Sequence, residues 1–262
     1  MRITKPRVKT QDKRTETREE RASFSRVRRA EAQYARQLRG VARHVGEIVR
    51  AMAPAPGDMA AASLVRAALN QYSIALRPWA TVVSARMIAD VARRDATIWA
   101  RLQEEMGRQL RSEIETAPTG HFLRGMLNEN VDLITSLPTK AAQRVHKLTM
   151  EGLVQSTRAS EISREIMRSG EVTTSRANLI ARTEVARTAS GLLEGRARHV
   201  GSEGYIWRTV GDSDVRKEHK KLNGQFFRWD SPPVAGSNGE RAHAGQIYNC
   251  RCYPEPVFPE EL

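Results

Sequence analysis

The stretch Trp207–Trp229, W-R-T-V-G-D-S-D-V-R-K-E-H-K-K-L-N-G-Q-F-F-R-W, decides the fold, together with its continuation Ala242–Pro254, A-H-A-G-Q-I-Y-N-C-R-C-Y-P. Both cysteines of the chain, Cys250 and Cys252, and two of its six histidines, His219 and His243, lie in these two segments. The hydrophobic period here is short. Gly204–Val210 alternates and reads as a strand. Asp212–Ser213 is placed to cap a short helix over Val215–Leu222, which Asn223–Gly224 closes. Gln225–Trp229 reads as a second strand, and Ser231–Gly239 as a Pro/Gly/Ser loop expected to be mobile. Tyr248–Phe258 reads as a third, Pro-punctuated extended segment, which suits a sheet edge. Residues 201–262 therefore form a small mixed α+β module, in which Trp207 and Phe226 are expected to supply apolar area.

Upstream of this module the period is helical. Tyr34, Leu38, Val41, Val45 and Ile48 form one stripe on a helix starting near Ala22. A-P-A-P-G-D (Ala53–Asp58) breaks it, with Asp58 placed to cap a second helix that carries Leu64, Val65, Ala68, Leu69 and Tyr72 to about Leu76. Pro78 suits the first turn of a third helix, whose stripe runs from Val83 and Met87 to Leu110 and Ile114. A-P-T-G (Ala117–Gly120) is the candidate boundary. Two shorter helices, Leu127–Ile134 and Thr139–Leu153, follow on either side of Leu137–Pro138. Ser160 or Thr157 is placed to cap another helix, with Ile162, Ile166 and Met167 inward and Gly170 closing it. Thr174 to about Val200 forms the last, containing A-R-T-E (Ala181–Glu184). For Arg182 and Glu184 two readings stand: an ion pair within the helix, or a side chain that reaches the C-terminal module and holds it. The fold class is α+β, a predominantly helical N-terminal region (31–117 and 118–200) before the small C-terminal module.

Charge adds a partner class. The chain has 43 Lys/Arg against 30 Asp/Glu, a net charge of +13. Residues 1–30 alone hold eleven basic and four acidic side chains with few large apolar ones, and read as a basic, flexible arm. Such a balance calls for an anionic neighbour, nucleic acid or an acidic protein surface. Arg7, Lys9, Lys13, Arg14, Arg26, Arg28 and Arg29 are the candidate nucleic-acid contacts. No run of eighteen apolar residues is present, so no membrane span is expected, and the N-terminus carries no apolar signal segment. Two cysteines one residue apart argue against a disulfide framework and suit synthesis in a reducing cytosol.

The order of A-R-T-E, Trp207, Asp212 through Arg216 to His219, Leu222–Gly224, His243–Gly245 and N-C-R-C (Asn249–Cys252) resembles the phage Mu F-like head-morphogenesis family of minor capsid proteins. The similar region runs from about Leu133 to Pro256. That family often has Pro where this chain has Ala244, which implies a less rigid turn here. The resemblance implies a structural role, not an enzymatic one: a minor head protein of a phage virion, made in the host cytoplasm. It further implies association with the portal and with capsid or scaffold proteins in the head interior, with packaged DNA nearby.

The motif residues admit different chemistries. His219, His243, Cys250 and Cys252 are the ligand types of a structural zinc, although C-x-C is tighter than the usual spacing. Buried free thiols beside a hydrogen-bonded histidine are the plainer reading. A metal-dependent hydrolase or nuclease recruits Asp212, Asp214, His219 and His243 instead. A cysteine nucleophile with a histidine base ranks last. The favoured expectation is that Arg182, Glu184, Trp207, Asp212, Arg216, His219, Gly224, His243, Cys250 and Cys252 shape the module and catalyse nothing.

Overall fold

A computed structural model describes residues 13–106, 118–154 and 159–258, with side chains over 27–96, 118–153 and 160–258. Five helices precede the sheet: α1 (Lys13–Met52), α2 (Met59–Met106), α3 (Gly120–Val154), α4 (Ala159–Met167) and α5 (Ser169–His199). Then come β1 (Gly204–Thr209), α6 (Lys217–Leu222), β2 (Phe226–Arg228) and β3 (Cys252–Val257). The helical region followed by a small α+β module is what the change of period predicts. No helix among the described residues is long and apolar enough to cross a membrane.

The α1 stripe is buried as expected at Tyr34, Leu38, Val41 and Val45, and the helix begins at Lys13 instead of near Ala22. Asp58 caps α2, its Oδ1 accepting the Ala61 N–H at 2.9 Å. Along α2, Val65 and Leu69 are buried while Leu64 points outward. The stripe continues through Val83, Met87 and Val91; its expected remainder, Ile98 to Ile114, lies outside the described side chains.

Neither internal proline breaks its helix, contrary to the expectation from sequence. Pro78 lies inside α2 and Pro138 inside α3. A helical Pro removes one backbone donor and crowds the carbonyl four residues back. Pro78 is exposed, as is Ile74 four residues earlier, so water can serve the freed carbonyl. Pro138 is buried, and hydroxyls bond the carbonyls on either side of Ile134, four residues back: Ser136 Oγ donates to the Leu133 carbonyl and Ser73 Oγ to the Thr135 carbonyl, each at 2.7 Å. Leu76, Ala80, Ile134 and Leu137 pack in the core around these sites, and that burial outweighs a missing rung.

Gly170 does not close α4. It sits in the first turn of α5, where a Cβ would lie 2.9 Å from Gly46 Cα. The two glycines let α1 and α5 cross almost backbone to backbone. Gly125, by contrast, is exposed inside α3 with nothing within 4 Å of its would-be Cβ.

In the module the strand order is β2-β1-β3, with both pairings antiparallel. Pro254 and Pro256 therefore sit on an edge strand, where a missing N–H faces no partner strand. Tyr205 and Trp207 alternate inward and are fully buried. Phe227 pairs with Tyr205 and shares that face, which leaves Phe226, opposite Ile206, 44% exposed. The expected core role of Phe226 is thus taken by Phe227, with Tyr205 and Trp229. The 231–239 loop is fastened: Ala235 and Gly236 N–H groups donate to the Glu240 carbonyl, and Ala235 is buried.

The helix crossing gives a paired prediction. Gly170→Ala is expected to cost about 1–3 kcal/mol, because the core must open to admit a methyl group. Gly125→Ala is expected to stabilise by about 0.4–1 kcal/mol. Urea midpoints of the two variants shifting in the same direction contradict the crossing.

Candidate functional site

One ridge of α5 carries the module. Thr183, Ala186, Ser190 and Glu194 follow one another at helical spacing, and the 243–250 segment lies along them. Thr183 Oγ1 accepts the Asn249 N–H at 3.1 Å, Ser190 Oγ donates to the Ala244 carbonyl at 2.6 Å, and Gln246 Nε2 donates to Glu194 Oε2 at 3.1 Å. Gly245 has φ +84°, and a Cβ there would lie 3.1 Å from both the Cys252 carbonyl and Ser190 Cβ. The turn at Ala244 is therefore fixed by α5 itself, without a proline.

A-R-T-E divides its side chains among three directions. Arg182 donates to Glu31 of α1 at 3.1 Å and to Asn249 Oδ1 at 3.0 Å. Thr183 meets the same Asn249, whose φ of +55° suits an Asn turn. Glu184 turns into the helices, accepting from Asn130 Nδ2 at 3.3 Å and Arg187 Nη1 at 3.2 Å. So Arg182 holds the module, while Glu184 makes the intrahelical pair. Burial pushes the Glu184 carboxyl up, against the pull of Arg187.

In the module the motif residues meet around β3. His219, Cys250 and Cys252 are all buried. His219 Nδ1 stands 3.6 Å from Cys250 Sγ and 3.4 Å from Cys252 Sγ, and the three donor atoms lie within 4.8 Å of one another. His219 Nε2 is 3.0 Å from the Ala235 carbonyl, which can only accept, so Nε2 carries the hydrogen and Nδ1 faces the sulfurs. Trp207 stands edge-on to the His219 ring at 5.3 Å. The Cys250 thiol is held low, chiefly by a hydrogen bond with Cys252, and Cys252 is pushed up, chiefly by Cys250. The pair thus shares a proton unevenly.

The other candidates are dispersed. His243 leaves the cluster: its Nδ1 meets the Tyr205 hydroxyl at 3.1 Å and its ring packs against Trp229. Asp212 does not cap α6, which has Arg216 at its N-cap. Instead Asp212 Oδ1 accepts the Asp214 N–H at 3.2 Å, and Arg251 grips Asp212 at 2.5 Å and Asp214 at 2.9 Å. Arg216 donates to the Tyr248 carbonyl at 2.8 Å, and Gly224, at φ +80°, closes α6. The Asp212, Asp214, His219 and His243 set of the hydrolase reading therefore falls into three separate neighbourhoods.

Of the candidate nucleic-acid contacts, Arg7 and Lys9 lie outside the described residues, as do the side chains of Lys13, Arg14 and Arg26. Arg28 and Arg29 are exposed on α1. The sequence reading misses a longer series: Arg29, Arg36, Arg43 and Arg50 recur every seven residues and are all exposed. Seven residues rise about 10 Å along a helix, so these guanidinium groups line one side of α1. The heptad spacing is the signal that could have found them.

Residues 143–254 match the family described as "Phage Mu protein F like protein". This Mu F-like segment spans the end of α3, all of α5 with its docking ridge, and the Cys/His cluster. A curated relative from Haemophilus influenzae, described as an uncharacterized protein, is 26% identical over 168 residues, covering 64% of this chain. The chain spans only 36% of that relative's length. No solved structure matches.

His243 supplies a pH test. Burial holds its imidazole below the ordinary 6.5, against a nearby Glu194. The unfolded chain then takes a proton before the folded one, so this contribution is complete above 6.5 and is lost as pH falls through it. Between about pH 8 and pH 5.5, His243→Gln is expected to lose less stability than the parent. Parallel melting-temperature profiles contradict the assignment.

Proposed function

We propose that this chain is a minor head protein of a tailed phage that joins the portal and the interior of the assembling head, with DNA as a non-specific neighbour. The observation that carries the reading is the match of residues 143–254 to the Mu F-like family. The geometry supports it, since the motifs of the matched segment make contacts that hold one another in place: Arg182 and Thr183 of A-R-T-E bind Asn249 of N-C-R-C. Residues serving as internal fasteners suit a scaffold whose outer surfaces do the binding. The net charge of +13 and the exposed arginine series on α1 favour an anionic partner contacted through its phosphates.

Cross-linking and mass spectrometry of purified procapsids test the assignment. The expected result is a few copies of the chain per particle, cross-linked to the portal subunit. Absence of the chain from purified heads overturns it.

DNA binding has its own test. Affinity for a random duplex is expected to fall steeply between about 50 and 200 mM salt, as counterions released on binding oppose it. Removing residues 1–30, or changing Arg36 and Arg43 together to Ala, is expected to flatten the log–log salt slope by about 0.9 for each phosphate that is no longer neutralised. Slopes unchanged in both variants place DNA elsewhere on the protein.

A further inference from the structure

We propose that His219 Nδ1, Cys250 Sγ and Cys252 Sγ form a buried metal centre for Zn²⁺ that ties the N-C-R-C turn to α6. Spacing is the first support. Zinc bonds of about 2.0–2.1 Å to nitrogen and 2.3 Å to sulfur, opened to a tetrahedral angle, put N and S about 3.5 Å apart. The separations here are 3.6 and 3.4 Å, so an ion fits between these donors with little movement.

The surroundings are those of a ligating set. The Ala235 carbonyl fixes His219 with its hydrogen on Nε2, leaving the Nδ1 lone pair toward the sulfurs; a backbone acceptor behind a histidine ligand is the usual second support of a metal site. The Cys252 N–H points at Cys250 Sγ, 3.4 Å away, a contact that favours a thiolate. The indole N–H of Trp207, whose ring stands edge-on to His219 at 5.3 Å, is buried without a hydrogen-bond partner, an orphaned donor beside the group. On binding, the proton still held by the cysteine pair leaves to solvent, and two Zn–S bonds and one Zn–N bond form. The charges then cancel, +2 against two thiolates, which suits a buried site better than a lone thiolate does.

His243 is not a ligand: it lies outside the group of donors, with its Nδ1 on the Tyr205 hydroxyl and its ring against Trp229. Among the described residues no fourth His, Cys, Asp or Glu joins the group, and water completes the tetrahedron. The centre connects the start of β3, α6 and, through the Ala235 carbonyl behind His219, the 231–239 loop.

The test uses the full chain, purified without chelator and then equilibrated with equimolar Zn²⁺. Elemental analysis is expected to find one zinc per chain, and exchange with Co²⁺ to give thiolate-to-cobalt charge-transfer bands with tetrahedral visible absorption. His219→Gln and Cys252→Ser are expected to weaken Zn²⁺ binding by more than about 100-fold, beyond the loss typical of an outer-shell change. His243→Gln is expected to bind as the parent does. The proposal fails if folded parent protein holds well under one zinc per chain with both thiols free to react. It fails equally if cobalt shows no charge-transfer band, or if His243→Gln loses metal as His219→Gln does. The parent's stoichiometry and cobalt spectrum decide the matter even where a ligand variant does not fold.

Discussion

The hydrogen bonds between one ridge of α5 and the 243–250 segment determine where everything downstream sits. α5 is buried on more than one side, with Ala177, Ile180, Ala181, Val185 and Leu192 in the helical core while Thr183, Ser190 and Glu194 bind the module. A helix serving two neighbours cannot be simply amphipathic, and small side chains are what allow close approach on both faces. Ser190 and Gly245 meet because neither carries bulk, and Gly170 meets Gly46 for the same reason.

Once α5 fixes the 243–250 turn, β3 follows it out of N-C-R-C, and β1 pairs with β3 over its whole length from Gly204 to Thr209. The register sets which aromatics face inward. Tyr205, Trp207, Phe227 and Trp229 then close around the two histidines, with Tyr205 and Trp229 ring centres 4.5 Å apart. Trp229 also donates to Ser202 Oγ at 3.0 Å, which ties β2 to the end of α5. The module thus gains much of its order from the helix it leans on, as befits a unit whose own sheet has three short strands.

Period and punctuation make most of the fold legible. The strand of Gly204–Thr209 is visible because alternation is a local property, and the edge position of β3 is visible because proline there has a local cost. What fails is tertiary. Nothing local distinguishes Pro138 in a buried, hydroxyl-lined helix from Pro138 between two helices; Ser73, on another helix, helps to settle it. Phe226 and Phe227 are chemically identical neighbours, and only the pairing with Tyr205 tells inside from outside. At the site, the donor types are legible but not their partners. His243 and His219 look alike in sequence, yet one finds a tyrosine and the other two sulfurs. Asp212 has the look of a cap, and Arg251, thirty-nine residues away, claims it.

Glu184 shows how the helical region and the module depend on one register. It sits in a chain of polar contacts in which Tyr34 donates to Asn130 at 2.8 Å, Asn130 to Glu184, and Arg187 to both Glu184 and Glu129. These contacts join α1, α3 and α5 across a largely apolar core. Burying a carboxylate here is costly, as the upward push on its pKa reflects. An apolar residue of similar volume suits burial better. What the carboxylate adds is geometry. A leucine tolerates a small slide of α5 along α3, whereas Glu184 meets Asn130 and Arg187 only at one setting. Thr183 is its immediate neighbour, so the setting that satisfies Glu184 also places the Thr183 hydroxyl where the Asn249 N–H must arrive. The ridge that receives the module is aligned from inside the helical core.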